Sequence, residues 1–196
     1  MSRLPGRQLL FGVLGACGLA IAVLLAVLLR TDERPRVKLE AGMRAPALTG
    51  GGVRGGTVDL AQLRGHVVLV SFLNSRAEAT MQGDPSRAEI VFLSSMQRQH
   101  ERFGLRIIVV DAAELTGAGT PSHDDLVNYT YDWNLDSAIA VLGDDGTVAR
   151  RFGVEHAPTT FLVGSDGVVR KRWDGFTPAA QLDFAIRVLE GRSPTD

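Results

Sequence analysis

The chain has 196 residues, 45% of them apolar, and a formal net charge of −1. That length holds one domain of ordinary size with a short appendage, and the apolar share excludes a disordered chain. The near-neutral balance excludes the strongly basic footprint of a nucleic-acid binder.

The apolar residues are unevenly spread. Residues 9–29 form a run of 21 positions without a charge. At about 1.5 Å of rise per residue a helix of this length spans the roughly 30 Å of a bilayer core. A secretory apolar region is shorter, about 7–15 residues, and ends in a small-residue cleavage site. Here Arg30-Thr31-Asp32-Glu33 follows directly, which predicts an uncleaved signal anchor over residues 1–30. Arg3 and Arg7 flank one side; Arg30, Arg34, Arg36 and Lys38 flank the other, so a count of Lys and Arg alone points the C-terminal side to the cytoplasm.

Cys17 is the single cysteine and lies inside this run. No intramolecular disulfide and no cysteine-built metal site is possible. Leu14-Gly15-Ala16-Cys17 looks like a lipoprotein processing site, but cleavage there would leave most of the apolar run at the new N-terminus; a small apolar residue in a membrane helix is the simpler expectation.

Residues 31–42, charged and containing Pro35, read as an exposed linker, and residues 43–193 as the globular domain. Residues 49–56 are glycine-rich but lack the Gly-Lys-Ser/Thr of a phosphate loop, so a turn is expected. The apolar run 66–73 predicts a buried strand. Asp84 as N-cap and Pro85 at the first position open a helix in which Ala88, Val91, Phe92, Met96 and Phe103 recur at helical spacing, with Gly104 as its stop. Residues 105–111 form a second buried strand. Ser122-His123-Asp124-Asp125 resembles a capping box opening a short helix to about Trp133. Residues 139–142 are a third strand, 147–152 one or two helical turns, and 159–163 a fourth strand. Ser165-Asp166-Gly167 is a hairpin turn before a returning strand, 168–173. Thr177-Pro178 opens a last helix with Leu182, Ala185, Ile186 and Leu189 on its buried face. The order β-α-β-α-β-α-β-β-α predicts a three-layer α/β/α sandwich around a mixed sheet.

Several segments resemble the thioredoxin superfamily, nearest to the membrane-anchored thiol–disulfide oxidoreductases and redoxins of bacteria (TlpA/ResA/AhpC-TSA-like). Met43-Arg44-Ala45-Pro46-Ala47-Leu48 is similar to that family's Gly-x-x-Ala-Pro-x-Leu. Leu60-Ala61-Gln62-Leu63-Arg64-Gly65-His66 is similar to its Leu-x-x-Leu-Arg-Gly-Lys turn, and 67–72 to its central strand. Gly153-Val154-Glu155-His156-Ala157-Pro158-Thr159-Thr160-Phe161-Leu162-Val163 resembles Gly-Val-x-x-x-Pro-Thr-Thr-Phe-Leu-Ile. The resemblance covers about 43–191. It implies a thioredoxin-like fold, a cis Ala157–Pro158 bond flanking the site, and a single-pass cell-membrane protein with an extracytoplasmic domain.

The departure from the family lies after the central strand. The family reads Phe-Trp-Ala-Ser-Trp-Cys-Pro-Pro-Cys; here the stretch is Phe72-Leu73-Asn74-Ser75-Arg76-Ala77-Glu78-Ala79-Thr80. Counted without a gap, Ala77 and Thr80 stand where the two cysteines belong. Thiol–disulfide exchange needs an attacking thiolate and a second thiol to release the mixed disulfide. A threonine hydroxyl without an activating base replaces neither. Peroxidatic relatives need a cysteine on the same loop, and copper-delivering ones two cysteines and a histidine. No catalytic residue, cofactor or metal is therefore expected.

His66, His100, His123 and His156 show no metal-ligand spacing and are expected to be satisfied or exposed. Asp124-Asp125 reads as a helix start, Asp111 as a turn cap at the sheet's C-terminal edge, and Tyr129, Tyr131 and Trp133 as core. The family's segment before the cis-proline pairs with an extended substrate backbone, which needs no cysteine. Ser75, Arg76, Ala157 and Pro158 are accordingly expected to line a groove for an extracytoplasmic protein or peptide. Arg76 either meets an acidic partner group or is a solvated loop charge. The alternative function is an oxidoreductase whose chemistry is supplied in trans. No constellation points to an enzyme of another class.

Overall fold

Seven consecutive residues from Val67 to Leu73 are buried, and they form the middle strand of a five-stranded sheet. The computed structural model describes residues 38–76 and 84–192. The run 9–29 with Cys17, and positions Ala77 and Thr80, lie outside the described residues; among these no helix is long and apolar enough to cross a membrane.

In chain order the elements are β1 (Thr49–Gly51), β2 (Thr57–Asp59), β3 (Val67–Leu73), α1 (Pro85–His100), β4 (Leu105–Asp111), α2 (His123–Asp132), β5 (Ala140–Leu142), α3 (Thr147–Arg151), β6 (Thr159–Val163), β7 (Val169–Asp174) and α4 (Ala179–Leu189). The main sheet runs β5-β4-β3-β6-β7, with β3, β4 and β5 parallel and β6 antiparallel to both β3 and β7. The expected order of alternating units followed by a late hairpin is the observed one. The glycine-rich segment is more than a turn: β1 and β2 pair as a hairpin around it. Val53 at its tip donates to the Val141 carbonyl at 2.8 Å, which fastens the hairpin to the β5 edge.

Local chemistry sets the boundaries. Asp84 Oδ1 accepts from the N–H groups of Ser86 (2.8 Å) and Arg87 (3.2 Å), and Pro85 needs no acceptor at the first position. Ser122 and Asp125 form a complete capping box for α2. Gly104 (φ 93°) ends the α1 region, and Gly167 (φ 72°) turns the β6–β7 hairpin; both conformations are costly for residues with a Cβ.

Alternation along β3 divides the core. Leu69 and Leu73 join Ile90, Leu93, Leu126, Leu182 and Ile186 on the face covered by α1, α2 and α4. Val68, Val70 and Phe72 join Leu48, Leu60, Ala149 and Phe152 on the other, where the only α-helix among the described residues is the five-residue α3. Leu39, within the stretch read as linker, is buried in this second cluster. Phe72, Phe152 and Phe161 meet there with ring centroids 5.3–5.9 Å apart in tilted or edge-on pairs. Phe152→Ala should therefore cost about 3–5 kcal/mol, read as a lowered urea midpoint at unchanged slope.

The buried face of α1 differs from the expected one. The stripe expected on α1 included Ala88, Val91 and Phe103, and all three are exposed. The buried stripe is Ser86, Glu89, Ile90, Leu93, Ser94, Met96, Gln97 and His100. It contains five polar side chains, so hydropathy alone points away from it. On α4 the expected face holds: Leu182 and Ile186 are buried, Ala185 and Leu189 partly so.

Candidate functional site

The parallel strands end at one edge of the sheet, and the chain segments flagged from sequence gather there. Leu73 and Asp111 are register partners at the ends of β3 and β4, and Thr159 enters β6 opposite Phe72. The Asn74 N–H donates to Ser86 Oγ at 3.1 Å, tying the strand exit to the first turn of α1. Asp111 is buried and acts as the expected turn cap. Its Oδ1 accepts from the Ser75 N–H at 3.1 Å and its Oδ2 from the Ala113 N–H at 3.3 Å. Burial holds its carboxyl above the ordinary range, against the pull of these hydrogen bonds.

On the β4 side of β3 a cleft of about 480 Å³ opens, lined by Ser75, Arg76, Arg87, Asp125, Tyr129 and Trp133 among others. Arg76 is not a free loop charge. Its Nη2 donates to Asp125 Oδ2 at 2.9 Å. Asp125 also accepts from the Ser122 N–H, and the Ser122 hydrogen bonds, with a smaller contribution from Arg76, hold its carboxyl below the ordinary range. The Arg87 guanidinium lies 4.8 Å from the Trp133 ring centroid. The aromatic cluster divides: Tyr129 is buried, Trp133 half-buried and Tyr131 76% exposed.

Ala157 and Pro158 lie on the opposite, β6 side of β3 and do not line this cleft. The Ala157–Pro158 bond is cis, as the resemblance implied. The Pro158 carbonyl accepts from the Gly175 N–H at 2.9 Å. The N–H and C=O of Ala157, by contrast, have no hydrogen-bond partner among the described residues, in a segment whose neighbours Glu155 and His156 are exposed. The four residues expected in one groove thus fall on the two sides of the β3 exit.

Beneath this edge sits a buried acid that hydropathy did not reveal. Glu89 Oε1 accepts from Ser71 Oγ at 2.8 Å and from Thr160 Oγ1, the two hydroxyls lie 2.6 Å apart, and Oε2 accepts from the Thr177 N–H at 3.3 Å. Burial holds the Glu89 carboxyl above its ordinary value, opposed by these hydrogen bonds. The available signal was Ser71, the one polar residue in the otherwise apolar strand β3; Thr160 and Glu89 stand among other polar residues in β6 and α1 and carry no such mark.

Among the described residues no group of three or more His, Cys, Asp or Glu could hold a metal ion. His123 and His156 are exposed, and His66 Nδ1 lies 3.1 Å from the Gly104 carbonyl. His100 is fully buried between Asp183 (Nε2 to Oδ1, 2.8 Å) and Glu190 (Nδ1 to Oε2, 2.9 Å), which bridges α1 to the end of α4. Each histidine is satisfied or exposed.

The start of α1 bears on where the family's cysteines would stand. The ungapped count places Ala77 and Thr80 there, outside the described residues. Gly83-Asp84-Pro85-Ser86 also fits Cys-Pro-Pro-Cys, sharing Pro85, with serine, the oxygen counterpart of cysteine, at the fourth position. Both registers lack both thiols, because the single cysteine is Cys17.

The fold and the cis-proline edge define a thioredoxin-like protein. The AhpC/TSA family matches residues 41–172, and the chain belongs to that family. It is similar to the thiol-disulfide oxidoreductase ResA of Bacillus thuringiensis subsp. konkukian, with 24% identity over 152 residues, 78% of this chain and 80% of the relative. Among solved structures it resembles a putative thiol:disulfide interchange protein DsbE from Chlorobium tepidum at 26% identity and TM-score 0.63, covering 78% of this chain and 99% of that one. A putative thioredoxin from Neisseria meningitidis shares the fold at 20% identity and TM-score 0.62, covering 79% and 95%.

Proposed function

We propose that this redoxin-family chain is a redox-inactive, membrane-anchored module that binds an extended peptide or protein segment at its cis-proline edge, outside the cytoplasmic membrane. The observation that carries the reading is the pairing of two facts. The chain has no cysteine in its domain, since Cys17 lies in the apolar run 9–29. Yet the main-chain donor and acceptor of Ala157, directly before the cis-proline, have no partner among the described residues. Strand addition to such an edge draws its affinity from backbone hydrogen bonds, with pockets beside it selecting side chains. The cleft of Arg76, Tyr129 and Trp133 supplies such a pocket across the β3 exit. The fold itself does not decide between catalysis and binding; the residues at the site do.

Two measurements test this. The full chain in detergent or vesicles should catalyse thiol–disulfide exchange no faster than buffer, and Cys17→Ser should change nothing. Turnover above buffer that Cys17→Ser abolishes would replace the binding reading with chemistry completed by a partner's thiol. A photo-crosslinking residue at His156 should capture one discrete protein or peptide from native membranes, and Pro158→Ala should abolish the capture while the variant stays folded. Capture unaffected by Pro158→Ala would place recognition on another face.

A further inference from the structure

We propose that the cleft between the β3 exit and α2 takes a lysine or arginine side chain of the bound segment; this rests on the reading of the cis-proline edge as a recognition site. Asp125, Tyr129 and Trp133 lie four apart along α2 and its cap, and Asp132 follows Tyr129 by three, so one face of the helix forms a wall of the cleft.

The cations that line the cleft are committed. Arg76 pairs with Asp125 at 2.9 Å, and Arg87 lies on the Trp133 ring at 4.8 Å. The acceptors are not. Asp125 uses Oδ2 for both Arg76 and the Ser122 N–H, and its Oδ1 has no partner among the described residues. Asp132 is exposed and has neither an ion-pair nor a hydrogen-bond partner among the described residues. Tyr129 is only 8% exposed and lines the cleft, yet its hydroxyl also has no partner among the described residues. A buried hydroxyl is costly unless a hydrogen-bonding group reaches it.

The field at this wall is negative. Burial, and after it the Asp111 and Asp84 carboxylates, hold the Tyr129 phenol above its ordinary range, with Arg87 opposing them. Asp132 is the last residue of α2, where the helix dipole presents its negative end, and no basic residue occupies that last turn. A carboxylate there is unfavourable to the helix on its own. A cation entering the cleft meets this carboxylate, the helix end, Asp125 Oδ1 and the Tyr129 oxygen together; an acidic side chain meets repulsion from the same groups. Reach is sufficient. β4 and β6 flank β3, so the cleft and Ala157 stand about two strand spacings apart, roughly 10 Å. Three residues of an extended segment, at about 3.3 Å each, cover that distance.

The test uses the full chain in detergent with Trp173→Phe, which leaves Trp133 as the single tryptophan. The probes are acetylated pentapeptide amides, Thr-Val-Xaa-Val-Thr, with arginine, lysine, citrulline or glutamate at Xaa, and Trp133 emission reads binding. The arginine and lysine peptides should bind at least about tenfold more tightly than the other two, and salt should shrink the difference. Asp132→Asn should abolish the preference while Tm stays unchanged or rises, because an anion leaves the negative end of a helix. Tyr129→Phe, with its packing kept, should weaken the arginine peptide by roughly threefold to tenfold. Equal binding of the arginine and citrulline peptides overturns the proposal, as does tighter binding of the glutamate peptide, a preference that survives Asp132→Asn, or a lowered Tm in that variant. Pro158→Ala separates this proposal from the reading beneath it. A cationic preference at unchanged affinity in Pro158→Ala sinks the edge and keeps the cleft. Binding that Pro158→Ala weakens, but that shows no cationic preference, sinks the cleft alone. No binding of any peptide sinks both.

Discussion

Replacing Glu89 by alanine should lower the stability of the domain by about 3–5 kcal/mol, more than any exposed substitution. The change removes the common acceptor of the Ser71 and Thr160 hydroxyls and of the Thr177 N–H; the two hydroxyls can still pair with each other, but one hydroxyl proton and the Thr177 N–H are stranded in the buried interior beside the cavity left by the side chain. Glu89→Gln is the informative companion. Its carbonyl oxygen still accepts from both hydroxyls, while its amide N–H₂ faces the Thr177 N–H, so the loss should be smaller than for alanine. The wild-type side chain also makes stability depend on pH. Burial, opposed by the three hydrogen bonds, leaves the folded-state carboxyl above its ordinary value of 4.5, so the folded chain holds this proton more tightly than the unfolded chain. Its contribution is complete below the ordinary glutamate range and is lost as pH rises through the folded-state value. Urea unfolding of wild type and Glu89→Gln across that range should give a difference that declines with rising pH. A difference flat in pH would show that Glu89 is ionised at no cost in the fold.

His100→Ala should be similarly damaging, about 3–5 kcal/mol, or roughly 6–20 °C in Tm for a domain of this size. The ring faces carboxylates at both nitrogens, and only a protonated ring donates from both. Its removal leaves Glu190, whose side chain is 1% exposed, with Arg192 alone. Because the penalty is that of a stranded buried charge, His100→Ala combined with Glu190→Gln should lose less than the two single losses added together. Additive losses would mean that the bridge is mere packing. Partial burial works against ionised Asp183, but hydrogen bonds from Arg187 and His100 outweigh it and hold the carboxyl below the ordinary range. That contribution is present above the ordinary aspartate range and is lost as pH falls through the folded-state value. Acid unfolding of His100→Ala should therefore show a shallower decline than wild type.

Both sites show what the linear pattern carries and what it does not. The strands 105–111 and 159–163, the capping of α1 by Asp84 and of α2 by Ser122, and the Asp166-Gly167 turn are legible because each follows from neighbours a few residues apart: apolar runs, a side-chain oxygen beside free N–H groups, a glycine at positive φ. The lack of a redox pair is equally plain in the sequence, since one cysteine inside an apolar run supplies no second thiol in any fold. The buried face of α1 is not legible. Glu89 and His100 look like surface residues until Thr160, 71 positions away, and Glu190, 90 positions away, arrive to satisfy them. The candidate groove divides for the same reason. Ser75, Arg76, Ala157 and Pro158 all border the β3 exit, but Asp111 holds the Ser75 backbone on the β4 side, whereas β6 carries the cis-proline to the other. The sequence by itself determined the local elements and the lack of a second cysteine, because short-range backbone geometry and atom inventory need no partner. Only the tertiary structure decided which polar side chains are interior and which site residues share a cleft, because desolvated groups are stabilised by partners that chain folding alone brings within hydrogen-bonding distance.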